Sequence, residues 1–229
     1  MLVHLVILLN KCRNKHGSSV LMNELSNETR VILIGGSSHV GKSTLGQSLA
    51  AKLGWSYRST DKLARHPGHP WVGANRNAIP EHVAEHYGTL SVDALFVDVL
   101  SHYEKNVLPQ VEIIVHSHAS DLSTECLILE GSALWPEFVA NLVSENGVKA
   151  IWLTASDQLF SYRIFSESDF YNVSEDKKHL IQKFLDRTLL YNKRMREKVE
   201  HLGFICIDVE SVSGADELSK KCMELMQVF

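Results

Sequence analysis

The chain has 229 residues, of which 45% are hydrophobic, with 23 basic and 27 acidic side chains and a formal net charge of −4. This hydrophobic content excludes a mostly disordered chain. The net negative charge argues against nucleic acid as the main partner, because no excess of positive charge is present to release counterions. The 4 cysteines are far apart and form no C-x-x-C pair, so the sequence predicts neither a disulfide framework nor a zinc ribbon and favours the reducing cytoplasm.

The N-terminal segment contains an apolar run over residues 2–9, interrupted by one histidine. A run of this length is too short to span a bilayer, so we expect no membrane partner. No small-residue cleavage site of the kind that ends a signal peptide follows it. We therefore expect residues 1–29 to be a poorly ordered leader or a short surface helix, and residues 30–229 to form one domain.

Five short runs of aliphatic and β-branched residues predict buried strands. They cover residues 30–34, 55–58, 126–129, 149–153 and 204–209. Apolar residues at helical spacing predict amphipathic helices over residues 42–53, 91–105, 109–119 and 174–202, and after residue 213. Residues 65–80 hold three of the five prolines and predict a loop. Buried strands that alternate with amphipathic helices indicate an α/β fold in which helices cover a parallel sheet.

The strongest motif lies directly after the first predicted strand, where residues 36–43 read GSSHVGKS and match the pattern G-x-x-x-x-G-K-[ST] in full. In this motif the glycines allow a tight turn, and backbone N–H groups and the N-terminus of the next helix face phosphate oxygens. Lys42 is expected to bridge the β- and γ-phosphates, and the Ser43 hydroxyl to hold Mg²⁺. The predicted ATP-binding residues are Gly36, Ser37, Ser38, His39, Val40, Gly41, Lys42, Ser43 and Thr44.

Nucleotide binding alone does not define a reaction, and the rest of the sequence narrows the class. The chain contains no N-K-x-D motif, which disfavours a GTPase, and no LSGGQ-like segment, which disfavours a transporter ATPase. Two carboxylates instead follow predicted strands, Asp61 after the second and Glu130 after the third. Because the carboxyl ends of parallel strands meet at one crevice, we expect both acids there. This pattern favours a small-molecule kinase.

The two acids suit different tasks in phosphoryl transfer. Asp61 is placed to hold and deprotonate an acceptor hydroxyl, although Ser59, Thr60 or Asp61 could simply cap a following helix. Glu130 follows an apolar strand, which is the usual position of an acid that holds Mg²⁺ or orients the nucleophile in such enzymes. We expect Glu130 to hold Mg²⁺ together with Ser43. The alternative for Glu130 is an ordinary solvated residue at the start of a loop.

Phosphoryl transfer also needs positive charge around the migrating group. Arg163 and Arg187 follow the fourth predicted strand, and we expect them on a helical lid over about residues 156–190. Arg65 and Arg76 lie in the predicted loop between strands two and three, where guanidinium groups would bind an anionic small-molecule acceptor. Each of these arginines could instead be a surface residue that faces water or a carboxylate.

Three histidines suggest further chemistry. His82 and His86 are four residues apart on a predicted helix, so their imidazoles share a face and could ligate a metal. The spacing indicates no third ligand, and a solvated polar face is the favoured interpretation. His39 lies inside the phosphate-binding loop, where its protonation could tune nucleotide binding near neutral pH.

Three segments carry a resemblance to a known family: GGSSHVGKST over residues 35–44, STDKLARHPGHPW over residues 59–71 and LILEGSALWP over residues 127–136. Over about residues 30–210 the chain resembles the nucleotide-kinase-like P-loop kinases. It looks most like the 2-phosphoglycerate kinase group, and it is also similar to cytidylate, shikimate and zeta-toxin-type kinases.

The resemblance implies a three-layer P-loop NTPase sandwich, with a five-stranded parallel sheet of order 2-3-1-4-5, helices on both faces and a helical lid. It also implies ATP with Mg²⁺ at residues 36–44, an acceptor-contacting acid at Asp61, a catalytic acid at Glu130 and a lid arginine at Arg187. Two interpretations of function stay open. One is an ATP-dependent kinase acting on a phosphoglycerate-like, nucleotide or other small acceptor, zeta-toxin-like kinases included. The other is an ATP-binding regulatory protein with a vestigial acceptor site.

Overall fold

The computed structural model describes residues 29–64, 66–72 and 79–227. The strands in this part of the chain are β1 (Val31–Gly36), β2 (Ser56–Ser59), β3 (Leu127–Glu130), β4 (Val148–Thr154) and β5 (Cys206–Asp208). They form a five-stranded sheet of order β2-β3-β1-β4-β5 in which every pair is parallel. The predicted fold class and strand order are confirmed. The expectations for residues 1–28, for Arg65 and for Arg76 lie outside the described residues.

Helices follow the strands along the chain. They are α1 (Lys42–Leu53), α2 (Glu81–Thr89), α3 (Val92–His102), α4 (Leu108–Ser120), α5 (Pro136–Val143), α6 (Asp157–Glu167), α7 (Glu175–His201) and α8 (Ala215–Gln227). Within the described ranges, none of them has both the length and the apolar character that a bilayer crossing requires.

The central strand β1 is buried on both faces. Ile32 and Ile34 contact the core that α1 and α8 cover, whereas Val31 and Leu33 contact the core under α4, α5 and the C-terminal half of α7. All four side chains are 0% exposed. Burial of both faces is typical of a parallel strand, and it explains why β1 is a continuous apolar run rather than an alternating one.

Most predicted helices appear with small changes at their ends. Ser174 is the N-cap of α7, as expected, and α7 then runs without interruption for 27 residues. A π-helical turn, Tyr103–Val107, joins α3 to α4, so that Pro109 lies in the first turn of α4. Helix α5 is absent from the predicted elements, because its 8 residues give little periodic signal. The predicted lid segment contains α6 and the first half of α7, and its movement stays a prediction.

The strand register places the predicted acids at one edge of the sheet. Glu130, the last residue of β3, is level with Ser59 at the end of β2 and with Ile34 near the end of β1. The chain can turn away there because Gly131 has a φ of +156° and no side chain. A Cβ at Gly131 would overlap the Thr60 hydroxyl and lie 2.8 Å from Thr60 Cβ. The turn after Glu130 can therefore approach Thr60, which begins the short 3₁₀ helix that carries Asp61, because residue 131 is glycine.

Candidate active site

A cavity of about 1020 Å³ opens at the carboxyl edge of the sheet. Its walls include the loop of residues 38–44, Asp61, Glu130, Arg163 and Arg187. The structure thus brings together the phosphate-binding motif, both predicted acids and both described candidate arginines. A volume of this size is at the upper end of the range for small-molecule sites, which suits a nucleotide and a second ligand side by side.

The loop between β1 and α1 has the backbone geometry that the glycine pattern predicts. Gly36 has a φ of +141°, and a Cβ there would lie 2.8 Å from the carbonyl oxygen of Leu153 on β4. Gly41 has a φ of +106° and precedes the first residue of α1. His39 also has a positive φ, of 65°. The loop therefore turns tightly, and the N-terminus of α1, with its unpaired N–H groups, faces the cavity, where it can hold an anion.

Lys42 is one of two buried cations that line the cavity in the described part of the chain. Its Nζ donates to the carbonyl oxygen of Ser37 at 2.8 Å and to Oγ of Ser132 at 3.1 Å, and the residue is 8% exposed. Burial lowers the pKa of Lys42, while the negative charges of Glu130 and Asp61 oppose this shift. A lysine held between the phosphate-binding loop and the end of β3 is positioned to contact a phosphate.

Glu130 is 1% exposed and is held by two hydroxyls. Its Oε1 accepts a hydrogen bond from Ser43 Oγ at 3.2 Å and another from Tyr57 OH at 2.9 Å. Burial and the adjacent Glu130 raise the pKa of Tyr57, so that the phenol keeps its proton and remains a donor. The alternative of a solvated loop glutamate is wrong. The Glu130 carboxylate and the Ser43 hydroxyl supply the hard oxygen ligands that Mg²⁺ prefers.

Asp61 is not needed as a helix cap. The side chain of Ser59 accepts the hydrogen bond from the Asp61 backbone N–H at 3.3 Å and so caps the short 3₁₀ helix Thr60–Lys62. The Asp61 carboxylate is left exposed on the cavity wall. Although Asp61 stays accessible from the cavity, the surrounding protein displaces part of the water around its carboxylate, and this partial desolvation raises its pKa. The charge of Lys42 opposes this shift, and the charge of Glu130 adds to it. A carboxylate with a raised pKa is a better proton acceptor than an ordinary aspartate.

The two candidate arginines have different surroundings. Arg187 is 7% exposed, and its Nη1 donates to Tyr87 OH at 3.0 Å while its guanidinium lies 4.6 Å from the centre of the Phe184 ring. Among the residues that the structure describes, Arg187 forms no ion pair. Arg163 on α6 donates from Nη1 to the carbonyl oxygen of His39 at 2.7 Å. Arg163 thus supports the phosphate-binding loop, whereas Arg187 presents to the cavity a positive charge that no described carboxylate pairs with.

His39 is held by a carboxylate and two aromatic rings. Its Nε2 lies 3.1 Å from Oε2 of Glu167, and its ring contacts Trp71 and Phe184. Burial lowers the pKa of His39, the charge of Glu167 raises it, and the charge of Lys42 lowers it further. The net effect is a lowered pKa for His39. Any effect of His39 protonation on nucleotide binding is therefore expected at a lower pH than that at which an ordinary histidine titrates.

Several residues of the site carry no signal in the sequence. Lys42 contacts Ser132, Glu130 contacts Tyr57, and Arg187 contacts Tyr87. Serine and tyrosine are common residues, and these three match no spacing rule. Ser132 alone could have been found, since it lies two residues after Glu130 in the EGS segment.

His82 and His86, which the sequence places on one face of a helix, have different surroundings in the structure. His82 is exposed on α2, whereas the imidazole of His86, one turn later, is 14% exposed and faces His66 and Asp98. The favoured interpretation of a solvated polar face therefore holds for His82 and is wrong for His86. His66 comes from the loop that follows β2, so the proximity depends on the tertiary fold.

Comparisons with known proteins give structural similarities only. No family model and no curated protein matches the sequence. The chain is similar to a gluconokinase from Sinorhizobium meliloti 1021, at 19% identity and a TM-score of 0.47 over 84% of this chain and 89% of the other. It is also similar to a shikimate kinase from Aquifex aeolicus, at 14% identity and a TM-score of 0.49 over 86% and 95% of the two chains. A shikimate kinase from Acinetobacter baumannii in complex with shikimate gives 19% identity and a TM-score of 0.43 over 86% and 93%. Similarities at this level assign neither an activity nor a substrate to this chain.

Proposed function

We propose that this protein is an ATP-dependent kinase that transfers the γ-phosphoryl group of ATP to an anionic small molecule with a free hydroxyl. The supporting observation is the convergence of Lys42, Glu130 and Asp61 in one cavity beside a complete phosphate-binding loop. A phosphate ligand, a metal ligand and a proton acceptor in one place are the groups that phosphoryl transfer uses.

The phosphates of ATP would lie along the loop of residues 36–44, with the backbone N–H groups and the N-terminus of α1 around them. The Lys42 ammonium would contact the β- and γ-phosphates from its position between Ser37 and Ser132. Ser43 and Glu130 would hold Mg²⁺, which when bound neutralises negative charge on the phosphate oxygens. Arg163 would act on the nucleotide indirectly, by fixing the backbone at His39.

Asp61 is the proposed general base. Its carboxylate lines the same cavity as Lys42 and Glu130, and the Ser59 cap leaves it free to accept a proton. The raised pKa of Asp61 increases its basicity toward an acceptor hydroxyl. The proton of that hydroxyl would pass to the Asp61 carboxylate as the oxygen bonds to the γ-phosphorus, and ADP would leave.

Arg187 supports an anionic acceptor. Its guanidinium is fixed by Tyr87 and Phe184, and it has no carboxylate partner among the described residues. A buried guanidinium without a counter-ion is unfavourable unless a ligand supplies one, and its planar fork matches a carboxylate or a phosphate. Hydroxy acids and phosphorylated hydroxy acids, phosphoglycerate-like compounds included, are therefore the first acceptors to test.

The experiment is a screen for acceptor-stimulated formation of ADP with the full chain, ATP and Mg²⁺. The panel contains 2-phosphoglycerate, other hydroxy acids, neutral sugars and nucleotides. We expect stimulation by an anionic hydroxyl compound and a loss of about 10²- to 10³-fold or more in kcat in Lys42→Met, because its charge stabilises the transferring group. Lys52→Met is the matched control on α1, since Lys52 pairs with Asp216 instead.

Acceptor-stimulated turnover that is equal in Lys42→Met and Lys52→Met would contradict the proposed role of the phosphate-binding loop. ATP binding without stimulation by any member of the panel would favour the alternative, an ATP-binding regulatory protein with a vestigial acceptor site.

A further inference from the structure

Three potential metal ligands from separate parts of the chain meet beside the cavity. His66 lies in the loop after β2, His86 on α2 and Asp98 on α3. Nε2 of His66 is 3.5 Å from Oδ2 of Asp98, and Nε2 of His86 is 3.8 Å from the same oxygen. One ligand atom from each of the three residues lies within 4.8 Å of the other two.

These separations fit ligands around a shared ion better than hydrogen bonds. An N–H···O hydrogen bond spans about 2.7–3.2 Å, so neither imidazole is within good bonding distance of Asp98. Neighbouring ligands of a tetrahedral zinc ion, at bond lengths of about 2.0–2.2 Å, are separated by roughly 3.3–3.5 Å. The 3.5 Å distance from His66 to Asp98 is already in that range, and the 3.8 Å distance from His86 to Asp98 would need a contraction of about 0.3 Å to reach it.

Among the residues that the structure describes, the two imidazole nitrogens have no other partner. Nε2 of His66 and Nε2 of His86 are both buried and form no hydrogen bond with any of those residues. Buried polar atoms in folded proteins are almost always paired, and two unpaired nitrogens that face one carboxylate oxygen indicate a missing common partner. Burial, together with the charge of Arg187, lowers the pKa of both imidazoles, and the charge of Asp98 opposes this shift without reversing it. Both rings are therefore neutral at pH 7, which is the form that binds metals.

We propose that Nε2 of His66, Nε2 of His86 and Oδ2 of Asp98 bind a divalent transition-metal ion of the zinc class. Two imidazoles and one carboxylate form the donor set that zinc favours, whereas Mg²⁺ and Ca²⁺ favour oxygen ligands alone. This site is distinct from the Ser43–Glu130 pair and does not depend on the proposed kinase activity.

The ion would tie the loop of residues 66–72 to α2 and α3. That loop already contacts α2, because Tyr87 OH donates to the carbonyl oxygen of Gly68 at 2.6 Å. His66 also lines the cavity, so the metal would fix one wall of it. When Nε2 of His66 ligates the ion, its Nδ1 carries the proton, so the long 3.5 Å contact from the Gly68 N–H to Nδ1 must open.

The test measures zinc binding by the full chain after chelator treatment and dialysis. Isothermal titration with Zn²⁺ gives stoichiometry and affinity, and Co²⁺ gives the visible absorption of a tetrahedral site. We expect a single high-affinity ion per chain and a rise in Tm on binding, because the ion binds the folded state. His86→Gln and Asp98→Asn should each weaken Zn²⁺ binding by more than about 100-fold, since outer-shell partners alone contribute about 10- to 100-fold.

His82→Gln is the matched control, because His82 is exposed one turn before His86 on the same helix. Its Zn²⁺ affinity should stay within about twofold of the parent chain. If His86→Gln fails to fold, Asp98→Asn carries the test, since the Asp98 side chain is 50% exposed. Absence of Zn²⁺ binding by the parent chain would overturn the proposal. Equal Zn²⁺ affinity in Asp98→Asn and the parent chain would also overturn it, because the ion would then bind at a cysteine or elsewhere.

Discussion

The Ser43 hydroxyl donates a 3.2 Å hydrogen bond to Oε1 of Glu130, which joins the first turn of α1 to the end of β3. Tyr57 donates to the same oxygen from β2 at 2.9 Å. Both hydrogen bonds use Oε1, so two hydroxyls on different elements fix the orientation of the carboxylate before any ligand binds. Such preorganisation avoids the cost of aligning a charged group during the reaction.

Glu130→Gln tests this arrangement with a side chain of the same shape. The amide removes a negative charge that would hold Mg²⁺, so we expect kcat to fall by about 10²- to 10³-fold and the Mg²⁺ concentration for half-maximal activity to rise. A titration of initial rate against Mg²⁺ measures both effects. Glu112→Gln, at an exposed position of α4, is the control and should leave both values unchanged. An unchanged Mg²⁺ requirement in Glu130→Gln would remove Glu130 from the metal site.

Asp61→Asn should separate catalysis from nucleotide binding. The amide cannot accept a proton, so we expect kcat to fall by about 10²- to 10⁴-fold while ATP affinity stays within about threefold. In the parent chain, activity should be lost as pH falls through the raised pKa of Asp61, because only the carboxylate acts as a base. Asp93→Asn, exposed on α3, is the control. Turnover in Asp61→Asn equal to that of the control would show that Asp61 is not the base.

Asp61→Asn should lower activity, but it should not lower the stability of the fold. The pKa of Asp61 is higher in the folded state than in the unfolded chain, so the folded state binds more protons and the ionised carboxylate opposes folding. Asp61→Asn should therefore leave the urea midpoint at pH 7 equal to or above that of the parent chain, and the same samples provide this measurement. A lower midpoint would mean that the carboxylate has a stabilising contact.

Arg187→Lys tests the contact with an anionic acceptor. Lysine keeps the charge but loses the planar fork, so we expect the KM of the acceptor to rise by about 10- to 100-fold while the KM of ATP changes by less than about threefold. The matched control is Arg194→Lys on the same helix, where the exposed guanidinium pairs with Glu197. A fall in kcat with both KM values unchanged would instead place Arg187 on the transferring phosphoryl group.

The buried imidazoles predict acid sensitivity. Burial is the largest cause of a lowered pKa at His39, His66, His86 and His102. At His66 it acts with the charges of Arg187, His102 and His86, against that of Asp98, to bring the pKa to about 4. Because the unfolded chain binds these protons first, stability should be full above about pH 6.5 and fall as the pH decreases. The His66 contribution alone is roughly 3 kcal/mol between pH 6.5 and 4.

Urea unfolding of the metal-free chain at several pH values measures this slope. His66→Gln should flatten it between pH 6.5 and 4, because glutamine does not titrate. His82→Gln, at an exposed position, should leave the slope unchanged. Parallel slopes in the parent chain and in His66→Gln would contradict the buried, neutral state of His66.

The sequence alone predicted the elements whose signals are local. The continuous apolar run of β1 predicted a strand that is buried on both faces. Ser174 and the periodic apolar residues that follow it predicted α7. The phosphate-binding motif predicted its own turn, because only glycine adopts the φ values found at Gly36 and Gly41 without strain. Asp61 and Glu130 could be placed at the same edge because parallel strands end together. The strand order came from the resemblance to P-loop kinases, since no pairing signal is visible in the strands themselves.

The tertiary structure alone decided which side chains meet. Tyr57 reaches Glu130 across 73 residues, and Arg187 reaches Tyr87 across 100, because strand register and helix packing bring those elements together. The spacing of His82 and His86 placed both imidazoles on one face of a helix, whereas packing of a loop against two helices brings His86 together with His66 and Asp98. Local patterns describe one element at a time, whereas a site is built from side chains whose distances depend on how the elements pack.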